Sequence, residues 1–63
     1  EIGRFLRDLP SRDCDIFLRR YWYGESLAEI AGRYRLKLNT VKTSLYRTRE
    51  KLRRHLEQEG YAL

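Results

Sequence analysis

The chain has 63 residues, 41% of them hydrophobic, and carries 14 Lys and Arg against nine Asp and Glu, for a net charge of +5 and a pI near 9.8. That is room for one small domain with a thin core, and the charge points to a polyanionic partner. A single cysteine, Cys14, excludes an internal disulfide and cannot alone make a structural zinc site. No stretch approaches the roughly 18 apolar residues of a membrane span, and no signal-peptide pattern is present. A soluble, cytoplasmic protein is therefore expected. Since the chain opens on Glu1 rather than Met, residues 1–63 are expected to be one domain cut from a longer protein.

The first element in chain order is a short helix over about 2–9. Ile2, Phe5, Leu6 and Leu9 recur at i, i+3, i+4 and i+7, and Pro10 pushes Leu9 out of the helical region. Ser11 suits an N-cap for a second helix over about 11–23, with Asp13 and Asp15 in its first turn, where negative charge meets the dipole favourably. Its apolar stripe is Cys14, Phe17, Leu18 and Tyr21, widened by Ile16 and Trp22, and Gly24 is a suitable left-handed stop. Ser26 and Glu29 form a capping-box pattern at the head of a third helix over about 26–34, whose core positions are Leu27, Ile30, Ala31 and Tyr34.

Arg35 to Leu38 break that period, and Asn39 is placed to cap a fourth helix running to about Glu59. Val41, Leu45, Thr48, Leu52 and Leu56 share one face of it. At 100° per residue Asn39, Thr43, Tyr46, Arg47, Glu50 and Arg54 fall on the other. Gly60 ends the helix, with Tyr61 or Leu63 available to fold back as the hydrophobic partner of the cap. The predicted fold is all-α: four helices in a helix-turn-helix arrangement without a wing.

The charge is unevenly spread. Between Glu1 and Gly32 there are five Arg against six Asp or Glu; between Arg33 and Arg54, nine Lys or Arg stand against Glu50 alone. A basic run is commonly only a solvated helix face. Here it coincides with a short helix, a tight connection and a long helix, the order in which a helix-turn-helix places its second helix against base edges. The candidate base contacts are Asn39, Thr40, Lys42, Thr43, Tyr46 and Arg47. Arg33, Arg35, Lys37, Arg49, Arg53 and Arg54 are better suited to phosphates, which position a protein without specifying sequence.

Leu9 to Arg53 resembles region 4 of bacterial sigma-70-family RNA polymerase sigma factors, nearest the short extracytoplasmic-function type. The resemblance is carried by Leu9-Pro10, the Phe17–Gly24 block, Ile30-Ala31, Thr40-Val41-Lys42 and the run from Leu45 to Leu52. It implies recognition of the −35 promoter element in duplex DNA by the fourth helix. It also implies docking of helices one to three on the β flap of RNA polymerase, leaves room for an anti-sigma factor, and implies a monomer in isolation. By position, the six candidate base contacts match the family's DNA-contacting sites. Two features depart from the family pattern. Arg35 stands at a turn position that is commonly glycine, and Gly32 lies inside the third helix.

The remaining candidates have plainer explanations. Cys14 lies on the core stripe as a buried thiol, and His55, among arginines and without a second ligand nearby, is expected to face solvent. Asp13 and Asp15, two residues apart, do not face each other on a helix, so helix-start electrostatics explain them. Tyr21 and Tyr34 are expected in the core, whereas Trp22 and Tyr23 are candidates for anchoring a partner helix. No phosphate loop, nucleophile motif or metal-spaced cluster is present, so no enzyme activity, cofactor or metal is expected. Two rival functions stay open: the helix-turn-helix output domain of a LuxR-type regulator, and a protein-binding module without useful DNA affinity.

Overall fold

The computed structural model describes residues 2–58 and Gly60, with Ile2 described by its backbone only. Four helices follow one another: α1 (Ile2–Asp8), α2 (Ser11–Tyr21), α3 (Leu27–Tyr34) and α4 (Leu38–Gln58). There is no strand among the described residues. The all-helical, wingless helix-turn-helix fold is the one that periodicity predicts. The stripe contribution of Ile2, the helix end at Glu59 and the fold-back of Tyr61 or Leu63 fall on side chains or residues outside those described.

The packing follows the apolar stripes. Ile16 and Phe17 of α2, Ile30 and Ala31 of α3, and Val41 and Leu45 of α4 form one buried cluster, with Leu6, Leu27, Tyr34, Leu36 and Leu52 packed against it. α2 and α3 both lie on α4, so the long basic helix is also the backbone of the core. Thr48, on the same face of α4, is 1% exposed, and its Oγ1 has no hydrogen-bond partner among the described residues. A buried hydroxyl left unpaired costs free energy that an apolar group of the same shape does not. Thr48→Val should therefore stabilise the chain by about 1 kcal/mol, read as a rise of roughly 4–8 °C in the midpoint of thermal unfolding.

The helix ends show local chemistry at work, with three corrections to the expected caps. The Ser26 capping box forms as expected: Glu29 N–H donates to Ser26 Oγ at 3.0 Å, and Ser26 N–H donates to the Glu29 carboxylate at 2.8 Å. Ser11, by contrast, is not an N-cap. Pro10 holds that position, its carbonyl accepting from Cys14 N–H at 3.0 Å, and Ser11 is the first helical residue. Nor does Asn39 cap α4. The helix begins one residue earlier, with the Lys37 carbonyl accepting from the N–H groups of Thr40 (3.0 Å) and Val41 (3.2 Å). α2 stops at Tyr21, short of the expected 23, because its last turn widens: Trp22 and Tyr23 both donate to Leu18 O before Gly24 takes φ +73°.

In the turn between α3 and α4, Arg35 takes the place that glycine commonly holds. It adopts the left-handed conformation, φ 55° and ψ 47°. Arg35 N–H donates to Gly32 O at 3.4 Å and Leu36 N–H to Ala31 O at 2.9 Å. That pair of bonds is a Schellman ending, and Leu36 supplies its hydrophobic contact with the core. The geometry is the one glycine normally serves, and an L side chain there costs about 1–2 kcal/mol. Arg35→Gly should therefore raise stability by about 1 kcal/mol in thermal or urea unfolding, part of the gain being offset by glycine's greater freedom in the unfolded chain.

Candidate nucleic-acid interface

α4 presents an exposed ridge on the face opposite its core stripe. Asn39, Lys42, Thr43, Tyr46 and Arg47 are exposed, and Thr40 is half-buried at the edge. Tyr46 is 60% exposed, a large apolar surface held in solvent with no core to serve. Five of the six candidate base contacts thus share one solvent-facing surface over the first turns of α4.

Basic side chains flank this ridge on both sides. On one side a depression of about 270 Å³ is lined by Asn39, Thr40, Thr43 and Arg47 together with Arg12 of α2. On the other a depression of about 410 Å³ brings Arg20 and Tyr21 of α2 beside Lys42, Tyr46 and Arg49. A helix with its side chains is about 10–12 Å across, close to the width of the major groove, about 12 Å. A helix seated there has a phosphate strand on either side, so cations on both flanks of the ridge match the charge they would meet. Arg12 and Arg20 were not among the sequence candidates. Their approach depends on how α2 crosses α4, which no periodicity within α2 records.

The six proposed phosphate contacts divide. Arg35 and Lys37 are exposed in the turn leading into α4. Arg49 Nη1 donates to Tyr21 Oη at 2.7 Å, which places its charge at the α2–α4 junction. Arg33 is instead paired with Glu25 at 3.0 Å, and Glu25 also takes Arg19 at 3.3 Å, while Arg20 donates to its carbonyl. This knot ties the α2–α3 connection together and offsets part of the Arg33 charge. Arg53 lies between Glu50 (3.1 Å) and Glu57 (3.0 Å) on α4, and the guanidinium holds the Glu50 carboxyl below its ordinary value. Arg54 is exposed further along α4, near Lys51 and His55. The positive run of the sequence is thus partly spent on internal pairs.

Four side chains sit elsewhere than expected. Asp13 is 6% exposed and accepts a hydrogen bond from Ser44 Oγ at 2.6 Å, so it joins α2 to α4 as well as serving the helix start. Tyr21 is 51% exposed, its ring tilted on Phe17 at 4.9 Å rather than buried in the core. His55 does not face solvent: it is half-buried, its ring 5.6 Å from that of Phe5. Cys14 is half-buried rather than fully buried.

A profile of the family described as sigma-70, region 4 matches residues 1–52. The chain belongs to the sigma-70 region 4 family. Comparison with curated proteins and with solved structures returned no significant match. Region 4 is a DNA-binding regulatory domain rather than an enzyme, and the exposed ridge on α4 lies where a helix-turn-helix protein carries its recognition surface.

This region 4 domain has a second surface of different character. Leu6, Phe17, Leu18, Tyr21, Trp22 and Leu52 line an apolar groove of about 440 Å³ with Arg49 at its rim. Its walls come from α1, α2 and α4. Of the two aromatic candidates for partner binding, Trp22 lines this groove and is 79% exposed. Tyr23 does not line it; its ring lies 4.8 Å beneath the Arg19 guanidinium. No helix is long and apolar enough to cross a membrane, and no group of three metal-ligating side chains occurs, in both cases among the described residues.

Proposed function

We propose that this chain recognises the −35 promoter element as region 4 of a sigma factor of the extracytoplasmic-function type, working within the RNA polymerase holoenzyme. The observation that carries the reading is the exposed ridge of α4, flanked on both sides by cations and borne by a chain of the region 4 family. Asn39, Thr40, Lys42, Thr43, Tyr46 and Arg47 meet base edges. Lys42 and Arg47 donate to guanine acceptors, Thr43 bonds an edge or touches a thymine methyl, and Tyr46 packs on a methyl or sugar. Arg12, Arg20, Arg35, Lys37 and Arg49 hold phosphates, which supply salt-dependent attraction common to all sequences. Arg33 and Arg53, held by acids, contribute less than their charge implies.

The polymerase contact is assigned to the apolar groove beside Trp22. An apolar surface of this kind, rimmed by Arg49, suits an amphipathic partner helix, and the β flap-tip helix is the occupant that the family implies. An anti-sigma factor would compete for the same surfaces. The test is an NMR titration of the isotope-labelled chain with a flap-tip helix peptide. Shifts centred on Leu6, Leu18, Trp22 and Leu52, with the α4 ridge unmoved, are expected. No shifts at millimolar peptide would favour an ordinary helix-turn-helix regulator of the LuxR type, which needs no polymerase flap.

A further inference from the structure

A negative charge beside a surface that meets phosphate opposes binding, and Asp13 is such a charge. It sits in the first turn of α2, where the helix dipole welcomes an acid. That role needs no burial, yet its side chain is only 9% exposed, wedged against α4. A buried carboxylate is costly unless hydrogen-bonded and compensated by a cation. Ser44, itself fully buried, supplies the hydrogen bond at 2.6 Å to Oδ1. Arg47 supplies the cation, its Nη2 standing 3.9 Å from the same oxygen.

The geometry is asymmetric: the carboxylate is buried and fixed, whereas the arginine side chain is 54% exposed. Ser44 and Arg47 are one turn apart on α4, so the hydroxyl that fixes Asp13 also fixes the point toward which Arg47 is drawn. Arg12 lines the same depression as Arg47 and adds a second positive charge facing it. Without Asp13 those two guanidinium groups would repel across the depression, and Arg47 would sample many rotamers, which it would have to give up on binding.

We propose that Asp13 is a positioning and specificity-determining residue: its buried carboxylate, held by Ser44, orients the Arg47 guanidinium for base readout. The proposal rests on the promoter-binding reading. Asp13→Asn keeps the volume and an acceptor for Ser44 but removes the charge. On electrostatics alone it makes the chain more positive and tightens binding to every duplex. Orientation of Arg47 predicts otherwise: preference for the best sequence over random duplex falls about ten-fold, the weight of one good base contact, while binding to random duplex does not weaken.

The experiment selects a preferred site from duplexes with a randomised core. It then compares that site with random duplex, at one salt concentration, for the wild type, D13N, R47A and the double variant. The expected result is loss of preference in D13N and no further loss when D13N is added to R47A. Equal weakening on both duplexes, or an undiminished effect of D13N in the R47A background, would overturn it. If D13N retains the preference while R47A loses it, this proposal falls and the promoter reading stands; if the wild type shows no preference, both fall. A measurement on the wild type alone guards against a variant that does not fold. The Arg47 Nε–H group should be markedly more ordered in the free chain than that of Arg54; equal mobility of the two would overturn the proposal.

Discussion

Truncating Ile30 to alanine should leave the chain largely unfolded at room temperature. Ile30 is 0% exposed and lies in the cluster where α3 meets α2 and α4. Removing most of such a side chain costs the lost transfer free energy plus a cavity term, together about 2–5 kcal/mol. A domain of this size commonly has only about 3–5 kcal/mol in hand. α3 itself has eight residues, too short to persist without that packing. Circular dichroism with urea titration reads the outcome directly. A cooperative transition displaced by less than about 1 kcal/mol would mean that α3 is not anchored through Ile30, and that the turn into α4 is held by something else.

The second large effect concerns binding. Arg47→Ala should weaken binding to the preferred duplex by about 1–3 kcal/mol and change binding to unrelated duplexes much less, if its contact is to a base edge. An equal loss on every sequence would assign Arg47 to phosphate instead. Arg53→Ala is the informative contrast. Its guanidinium is already shared between Glu50 and Glu57, so the salt dependence of binding should change by less than the roughly one unit of slope expected for a full phosphate contact. Fluorescence anisotropy at two salt concentrations measures both variants.

The elements of this fold were legible wherever the signal is local. The Ser26–Glu29 pair, the left-handed glycines at 24 and 60, and the stripe of Val41, Leu45 and Thr48 are all short-range patterns. Each appears in the structure where periodicity and capping place it. Two of the helix starts were less legible, because a side chain able to cap does not fix where the first helical turn closes. Ser11 and Asn39 have the right side chains, but the backbone carbonyls of Pro10 and Lys37 open the helices instead.

What the sequence hides is how the helices cross. Asp13 has a sufficient local explanation at the helix start, and that explanation conceals its burial against Ser44, 31 residues away. Tyr21 fits the stripe of α2 but lies at its last position and emerges beside Arg49, where α2 meets α4. Arg12 and Arg20 join the α4 ridge for the same reason. A charge count cannot distinguish arginines open to solvent from those tied to Glu25 or Glu50.

If one face of α4 meets duplex DNA while the apolar groove beside Trp22 stays available to a protein partner, the two surfaces respond to DNA separately. The most direct test is an NMR titration of the labelled chain with a selected duplex, followed residue by residue. Saturable shifts are expected from Asn39 to Arg47 and at Arg12 and Arg20, with Leu6, Leu18 and Leu52 unmoved. Shifts centred on the groove with the α4 ridge unchanged, or no saturable shifts at low salt, would contradict the account.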